Sequence, residues 1–379
     1  MTSPEVSLAF KLSTANRRRT VVTLAGASLA VSLIIYQLFL IVGFIGSSGA
    51  LIRSIDADLW VLAHEAQAFD FSAPARRDLA YGIAGIRGVA ETKHVVSGFA
   101  NAVDDRGRPA VVALAGLPLE RFRLDADKRT RAGTTLHTHD RFAIIDRTAL
   151  GQFAASRTPF NLEISGEQVV IAQTMDGYAT FLGSPFLVTT STNAQRWLRL
   201  GPNDCTGIAV WLEEWASIDD AKRDIGKAYP ELMVLTTGEY AFRSAVFWLL
   251  GTGAGGGLLL SAILGFGIGM LIISQNLYAS VLESIQQYTT LRAIGFESAT
   301  LRRVVVVQST AIALVAGIVG AAMAFVFATL TKMFVLGWIA QPLSVPVLVL
   351  FVCAFMGLAS SFSAVRLIHS LEPAHALRQ

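Results

Sequence analysis

The chain has 379 residues, of which 53% are hydrophobic and only 16% are charged. Soluble domains carry about 25% charged residues, so this composition argues against an ordinary soluble protein and favours a membrane protein. The net charge of +3 is weak, and it gives no reason to expect a nucleic-acid partner.

Four uncharged segments are long enough to cross a bilayer. They cover residues 20–52, 244–282, 304–331 and 333–365. About 20 apolar residues suffice for a transmembrane helix, so we predict four such helices. The first segment is longer than the apolar core of a signal peptide, which has about 15 residues at most, and we expect it to stay in the membrane. Pro342 and Pro346 place the start of the fourth helix near them.

The lysines and arginines that flank these segments predict their orientation, because short cytoplasmic loops are rich in both residues. Lys332 is the only one between the third and fourth segments. Nine others lie near the N-terminus, between the second and third segments, or in the C-terminal tail, namely Lys11, Arg17, Arg18, Arg19, Arg292, Arg302, Arg303, Arg366 and Arg378. Both termini are therefore expected in the cytoplasm. Cys205 would then lie outside the membrane and Cys353 inside it, so we expect no disulfide between them.

This topology divides the chain into eight regions. Residues 1–19 are predicted to form an amphipathic helix on the inner leaflet, with a disordered basic leader as the alternative. The other regions are a first transmembrane helix with the start of a stalk (20–52), an exported domain (53–243), a stalk with the second transmembrane helix (244–282), a short cytoplasmic helix (283–303), the third transmembrane helix (304–331), an outer loop with the fourth (332–365), and a cytoplasmic tail (366–379). The predicted fold class is an integral membrane α-helical protein with a large exported α+β domain.

Two β-α-β units are predicted at the ends of the exported domain. The first consists of the strand DADLWVLA, a helix in SAPARRDLAYGIAGI with Pro74 in its first turn, and the strand GVAETKHVVSGF. The second consists of CTGIAVWLEEW, SIDDAKRDIGKAYP and ELMVLTT, with Ser217 as the helix cap. The residues between them, about 98–204, contain short runs of alternating apolar and polar side chains. They predict an inserted, strand-rich module.

The second uncharged segment would be about 58 Å long as one helix at 1.5 Å per residue, well beyond the hydrocarbon core of about 30 Å. We expect it to leave the membrane as a stalk, or to tilt strongly. It contains GTGAGGG, which is not a dinucleotide-binding loop, because no acidic residue follows before Glu283. The pairs Gly251/Gly255 and Gly265/Gly269 instead predict a face on which another helix packs closely. Lipid-facing or hinge glycines are the alternatives.

No motif in the chain predicts catalysis or metal binding. His137 and His139 of LHTHD lack an obvious third ligand nearby, so we interpret them as part of a solvated loop or strand. The uncharged segments also lack the ionisable residues of ion-coupled transporters. Their polar residues Tyr36, Gln37 and Gln308 are expected to hold helices together. We predict no catalytic residue, metal or cofactor in this chain, and the substrate-binding residues are unknown.

The segment QYTTLRAIGF is too polar and too short to cross the membrane. On a helix, Tyr288, Leu291 and Arg292 share one face and a glycine closes the helix, which makes an apolar knob for a partner's groove. A plain solvated loop is the alternative, but it does not explain the apolar residues. The predicted site consists of Gln287, Tyr288, Leu291, Arg292, Ile294, Gly295 and Phe296.

The chain resembles permeases of the MacB/FtsX-like ABC transporter superfamily, and within it the DevC-like exporter branch. The resemblance covers nearly the whole chain and depends on the order of NRRRTVVTLAG, DADLWVLA with PARRDL, TTLRAIGF and LEPAHALR. It implies that the short cytoplasmic helix is a coupling helix, seated in a groove of a separate ATPase. Many relatives have Glu where this chain has Gln287. The resemblance also implies a porter-like fold for the two β-α-β units.

The function implied by this resemblance is that of a permease subunit in an ABC exporter of the mechanotransmission type. Two copies of the chain, surrounded by membrane lipid, would work with a dimeric ATPase that holds ATP and Mg. A periplasmic adaptor and an outer-membrane channel would complete the assembly at a bacterial inner membrane. The cargo is expected to be amphiphilic or hydrophobic. The alternatives are an FtsX-like relay that activates a cell-wall hydrolase, and a permease that extracts lipoproteins.

Overall fold

The computed structural model describes residues 17–125, 140–180, 183–283, 290, 294, 297–334 and 337–355. They fall into two compact units. The membrane unit lies within Met1–Ile41, Gly257–Thr331 and Ile339–Gln379, and the head unit lies within Val42–Gly256 and Lys332–Trp338. The predicted tail (366–379) and most of the predicted N-terminal helix (1–19) lie outside the described residues.

The described chain contains helices in both units and strands in the head unit. The helices are α1 (Arg17–Ser48), α2 (Ala50–Arg53), α3 (Leu79–Ala84), α4 (Ser191–Trp197), α5 (Ile218–Ala228), α6 (Thr237–Leu250), α7 (Gly253–Glu283), α8 (Ser298–Phe334) and α9 (Ser344–Phe355). The strands are β1 (Leu59–Ala63), β2 (Ala75–Arg76), β3 (Val89–Asp104), β4 (Pro109–Gly116), β5 (Phe142–Asp146), β6 (Phe160–Ile164), β7 (Glu167–Met175), β8 (Phe186–Thr189), β9 (Asp204–Cys205), β10 (Gly207–Leu212) and β11 (Leu232–Thr236).

Three helices are long and apolar enough to cross a membrane. The candidate spans are Val21–Ser48 in α1, Gly253–Ile272 in α7 and Ser309–Met333 in α8. The helix α9 is apolar but shorter, and the rest of the predicted fourth segment lies outside the described residues. The second uncharged segment, expected as one long helix, is divided between α6 and α7. The helix α8 begins at Ser298, six residues before the start predicted for the third span.

Both predicted β-α-β units are present in the head unit, and their strands form one antiparallel sheet in the order β11-β1-β10-β3. This order, with two helices between the strands, is the split arrangement of ferredoxin-like folds. All five residues of β1 are buried, because successive side chains point to opposite faces and both faces are covered. Leu59 and Val61 pack with α3 and α5, whereas Trp60 packs with α2 and α6.

The prediction for Pro74 was wrong. The residues that follow it form the short strand β2, in which Ala75 pairs with Cys205 and Arg76 pairs with Asp204. The peptide N–H of Arg77 also donates to the carbonyl oxygen of Asn203. These backbone groups are used between chain segments, so the helix starts only at Leu79. The cap predicted at Ser217 is confirmed, since its hydroxyl accepts a hydrogen bond from the N–H of Asp220.

The strand-rich middle of the head unit is a closed barrel. Six strands pair in the order β3-β4-β8-β5-β7-β6, and β6 pairs again with β3. The first half of β3 belongs to the four-stranded sheet and the second half to the barrel, because Gly207 of β10 pairs with Val95 and Gly116 of β4 pairs with Val96. The insertion predicted to start at about residue 98 therefore starts within a continuous strand. The barrel interior is filled by buried aliphatic side chains such as Leu114, Ile145, Leu162, Ile171 and Leu187.

Candidate functional site

The helix α6 follows the sheet without a linker. Thr236 ends β11 and caps α6, since its hydroxyl accepts a hydrogen bond from the N–H of Glu239 and the Glu239 carboxylate accepts one from the N–H of Thr236. The Lys222 ammonium of α5 donates to the same carboxylate at 2.6 Å. These hydrogen bonds, from Lys222 first, lower the pKa of Glu239. Reciprocal capping of this kind fixes the direction in which a helix leaves the preceding strand.

Aromatic and hydroxyl side chains join α6 to β1. The indole N–H of Trp60 donates to the hydroxyl of Thr237 at 3.1 Å, and this hydroxyl donates to the carbonyl oxygen of Ala57. The ring centroids of Trp60 and Tyr240 are 5.3 Å apart. Both aromatic side chains are almost fully buried, so the first turns of α6 and the face of the sheet at β1 form one packed body.

Further along, α6 packs against the chain that leaves the first span. The Ser244 hydroxyl donates to the carbonyl oxygen of Ser48, the last residue of α1, at 3.2 Å. A Cβ atom added to Gly49 would lie 2.7 Å from that of Ala241, so only glycine permits this approach. The Arg243 guanidinium donates to the carbonyl oxygen of Ala66. The second half of α6 is thus packed against the end of α1 and the loop after β1.

Two of the predicted packing glycines lie at the junction of α6 and α7. A Cβ atom would lie 2.6 Å from the carbonyl oxygen of Phe247 at Gly251, and 1.9 Å from that of Trp248 at Gly255. Between them, the Thr252 hydroxyl donates to the Trp248 carbonyl oxygen and accepts from the N–H of Gly255. Their nearest described atoms belong to α6 itself rather than to another transmembrane helix. These glycines permit a tight, hydrogen-bonded turn, and a packing role for them stays a prediction.

The other two predicted glycines face α1 within the membrane unit. A Cβ atom on Gly269 would lie 2.7 Å from Cγ1 of Ile34 and 3.2 Å from the carbonyl oxygen of Ala30. On Gly265 it would lie 3.2 Å from the side chain of Gln37. Helices in membranes associate through such small residues, because the backbones can then approach closely. The importance of these two glycines for assembly stays a prediction.

Polar side chains connect the same helices. Gln37 donates to the Ser261 hydroxyl and Tyr36 donates to the Thr331 hydroxyl, each at 3.2 Å. Both were expected to hold helices together, whereas the side chain of Gln308 lies outside the described part. One close approach was missed from sequence at Gly320 of α8, although Ala316 and Ala324 give it small residues four positions away on either side. A Cβ atom there would lie 2.7 Å from the carbonyl oxygen of Ser28 in α1.

The predicted coupling segment is described at two of its residues. The N–H of Ile294 donates to the carbonyl oxygen of Thr290 at 3.1 Å, the spacing of one helical turn. The Ile294 side chain is 72% exposed. The remaining predicted residues, Gln287, Tyr288, Leu291, Arg292, Gly295 and Phe296, lie outside the described residues.

The family comparison covers this segment and the helices on either side of it. Residues 259–373 match the family model described as the FtsX-like permease C-terminal domain. This chain carries an FtsX-like permease domain. The match begins inside α7, includes the predicted coupling segment and α8, and extends past α9. The chain is therefore a membrane protein with helical spans and a permease domain, joined to a separate α+β head.

Three solved structures are similar to the head that precedes the FtsX-like permease domain. The periplasmic region of MacB from Actinobacillus actinomycetemcomitans is 10% identical, covers 49% of this chain and 91% of its own, and has a TM-score of 0.38. The extracellular domain of the transporter YknZ from Gram-positive bacteria is 14% identical, with coverage of 47% and 98% and a TM-score of 0.34. A domain of a Porphyromonas gingivalis permease protein is 15% identical, with coverage of 48% and 89% and a TM-score of 0.31.

A comparison with curated protein sequences gives no significant match. Metal chemistry has no support in the described residues either, where no three His, Cys, Asp or Glu side chains come together. His137 and His139 lie outside the described residues. His94 is partly buried on β3, and burial together with the charges of Arg77 and Lys93 lowers its pKa to about 4. This histidine is therefore neutral at physiological pH.

Proposed function

We propose that this chain is the permease subunit of an ABC exporter of the mechanotransmission type. It would act as a pair of copies with a separate, dimeric ATPase that binds ATP and Mg. The head unit would lie in the periplasm of a bacterium and both termini in the cytoplasm. The cargo class that we favour is amphiphilic or hydrophobic, passed to a periplasmic adaptor and an outer-membrane channel.

The observation that carries this proposal is the pair of short connections between head and spans. The first span passes into α2 after the single residue Gly49, and β11 passes into α6 and then α7 with only two residues outside a helix. Capping, aromatic packing and the Ser244–Ser48 hydrogen bond brace these connections. A movement of either span would reach the sheet through packed elements rather than through a flexible linker, as mechanotransmission requires.

The ATPase would bind the coupling segment of the permease domain, and the conformational change driven by ATP hydrolysis would be transmitted through this contact. Its apolar residues and the exposed Ile294 suit a partner groove, because buried aliphatic and aromatic anchors dominate such interfaces. The barrel inserted in the head unit supports the exporter over a relay that only activates a hydrolase, since it offers an additional surface for an adaptor. A permease that extracts lipoproteins would be coupled to its ATPase in the same way and would differ in its cargo.

A charge introduced into the coupling segment tests this proposal. Leu291→Asp would remove an apolar anchor and bury a carboxylate, which should cost about 2–4 kcal/mol, or about 30- to 1000-fold in affinity for the ATPase. We expect normal insertion, loss of the co-purifying ATPase and loss of cargo-stimulated ATP hydrolysis. Co-purification from detergent followed by mass spectrometry measures the first loss and identifies the partners.

The matched control is Val111→Asp, the same kind of change at a residue of β4 that is 48% exposed. This variant should keep the ATPase. Full ATPase binding and activity in Leu291→Asp would contradict a coupling role for the segment. Recovery of a cell-wall hydrolase in place of an adaptor, with the ATPase retained on the parent chain, would favour the relay.

A further inference from the structure

The loop that joins α8 to α9 packs against the barrel. Residues Lys332–Trp338 belong to the head unit, although the helices on either side of the loop lie in the permease match. A Cβ atom added to Gly337 would lie 2.7 Å from Cγ2 of Thr148 and 3.3 Å from Cβ of Ala179. Cβ atoms almost never come within 3.0 Å of another heavy atom, so this close contact requires glycine. We call Gly337 and Trp338 the strap, and Thr148 and Ala179 its seat.

The seat is formed by two loops at one end of the barrel. The strands β5 and β7 pair in parallel, so the loops that follow them begin at the same end. Asp146 ends β5 and is 2% exposed, and its carboxylate accepts hydrogen bonds from the N–H and the hydroxyl of Thr148. Its other oxygen accepts one of 2.8 Å from the N–H of Tyr178, next to Ala179. One buried carboxylate thus joins both halves of the seat and fixes their separation.

The second residue of the strap packs against α1. The ring centroids of Trp338 and Phe44 lie 6.2 Å apart, with the rings edge to face, within the range of about 4.5–7 Å that aromatic pairs prefer. Phe44 is 3% exposed and lies in residues 42–48 of α1, the part of this helix that belongs to the head unit. The strap therefore contacts both the barrel and the last turns of α1, all within one compact unit.

We propose that the strap ties the barrel to the permease domain and keeps its contact with the seat throughout the working cycle. The helix α8 ends at Phe334, and the chain from there to Gly337 can span at most about 11 Å. The end of α8 therefore cannot move further than this from the seat unless the strap is lifted. Both contacts of the strap lie inside the head unit, so the strap moves with the head. Its presence is independent of the proposed function, whereas its role in coupling rests on that function.

A disulfide between the strap and the seat tests the contact. Ala179→Cys with Gly337→Cys brings two Cβ atoms to 3.3 Å, close to their separation of about 3.5–4.5 Å in disulfides. Thr148→Ser is included, because it removes the methyl group nearest to the new side chain and keeps the hydroxyl that Asp146 holds. The matched control replaces Ala179→Cys by Thr192→Cys, on an exposed residue of α4. That helix follows β8, which is antiparallel to β5, so it lies at the opposite end of the barrel.

Membranes are treated with a mild oxidant, and the free thiols are then counted by the gel shift of a polymer-linked maleimide. We expect the strap pair to cross-link at least tenfold faster than the control pair. Equal rates in the two pairs would show that Gly337 has no fixed place on the barrel and would overturn the proposal. The native Cys205 and Cys353 are buried, so the parent chain reports the background.

ATP hydrolysis by the complex with its co-purified ATPase tests the role of the strap in coupling. The cross-linked chain should keep at least half of the rate of its reduced form. Gly337→Leu should lower the rate at least fivefold, because the permease domain then loses a fixed connection to the barrel. Activity that is lost on oxidation and restored by reduction would mean that the strap must leave its seat, which would overturn a permanent contact. Parent-level activity in Gly337→Leu would overturn the role in coupling.

The two proposals can fail separately. If no ATPase co-purifies with the parent chain, the proposed function fails and the role in coupling fails with it. The cross-linking rates still decide whether the strap lies on its seat.

A stability comparison without cysteines covers the case in which these variants fail to fold. Gly337→Ala places a Cβ atom 2.7 Å from the Thr148 methyl group, so it should lower the melting temperature in detergent. Adding Thr148→Ser should restore at least half of the loss, measured relative to Thr148→Ser alone, because the interfering methyl group is removed. No loss in Gly337→Ala, or no recovery in the double variant, would contradict the contact.

Discussion

Asp70 is a carboxylate buried in the head unit against α6. Its Oδ1 accepts a hydrogen bond of 3.0 Å from the indole N–H of Trp248, and only 7% of the residue is exposed. Burial raises the pKa of Asp70 to about 6, although the hydrogen bond from Trp248 opposes the rise. A carboxylate that is hard to ionise in the folded state makes stability depend on pH.

The sign of this dependence follows from the raised pKa. Ionisation costs more in the folded than in the unfolded chain, so the contribution of Asp70 to stability is fully present below about pH 4 and is lost as the pH rises through about 6. The loss amounts to about 3 kcal/mol for a shift of about two pKa units. Asp70→Asn keeps an oxygen for Trp248 and should flatten the stability of the head unit between pH 4 and about 7.

Chemical unfolding of the detergent-solubilised chain, followed by tryptophan fluorescence across this pH range, measures the effect. Asp105→Asn changes an exposed carboxylate in the turn after β3 and should leave the parent profile unaltered. If Asp70→Asn retains that profile, another group governs the pH dependence.

Single residues could be predicted where local chemistry decides their role. Ser217 caps α5 as expected, because a serine before Asp219 and Asp220 is a local signal. Asp70 could not be predicted, since its partner Trp248 is 178 residues away in the chain. The structure brings the two together only after α6 has packed against the loop that contains Asp70.

At the scale of elements, the contact between α7 and α1 can be tested by comparing the effects of two glycine substitutions on stability. Gly269→Leu would force a side chain against Ile34 and the Ala30 carbonyl oxygen, and overpacking of this kind costs about 1–3 kcal/mol. Gly267→Leu is the control, because a Cβ atom there meets no described atom within 4 Å. We expect a lower thermal stability in detergent for Gly269→Leu alone. Equal melting temperatures for the two variants would mean that this contact contributes little.

Gly265→Leu should cost less than Gly269→Leu. Its added Cβ atom would meet the flexible side chain of Gln37 at 3.2 Å, and that side chain can move aside. The small-residue spacing singled out both positions, but it could not distinguish backbone from side-chain neighbours. At Gly251 and Gly255 it could not foresee the break between α6 and α7, which the Thr252 hydrogen bonds accompany.

At the scale of the whole molecule, cysteine labelling from outside tests the topology. Gly107, in the turn after β3, is a poor position for the cysteine, because it has φ +75°, where a side chain is strained. Asp105→Cys in the same exposed turn avoids this strain and should react with an impermeant maleimide in intact cells. Glu297→Cys, on the exposed residue before α8, should react only after lysis. Equal labelling in intact cells would contradict the four-span arrangement.

Much of the architecture could be predicted because its patterns are local. The apolar runs predicted the three candidate spans, and the β-branched and aromatic content of DADLWVLA predicted β1. The closed barrel could not be predicted, since it depends on Ala102 of β3 pairing with Ile164 of β6, and no sequence spacing encodes that register. Of the predicted coupling site, only the exposed Ile294 is described, so its role stays a prediction.

The strand order of the head unit also determines when this unit can fold during synthesis. Leu59 of β1 pairs with Val210 and with Thr236, and about 150 residues must be made after β1 before either partner exists. At about 5–20 residues per second, that delay is about 8–30 s. Throughout it, LWVLA remains an unpaired apolar strand, the kind of segment that aggregates. The sheet of the head unit can therefore be completed only after the whole barrel has been synthesised.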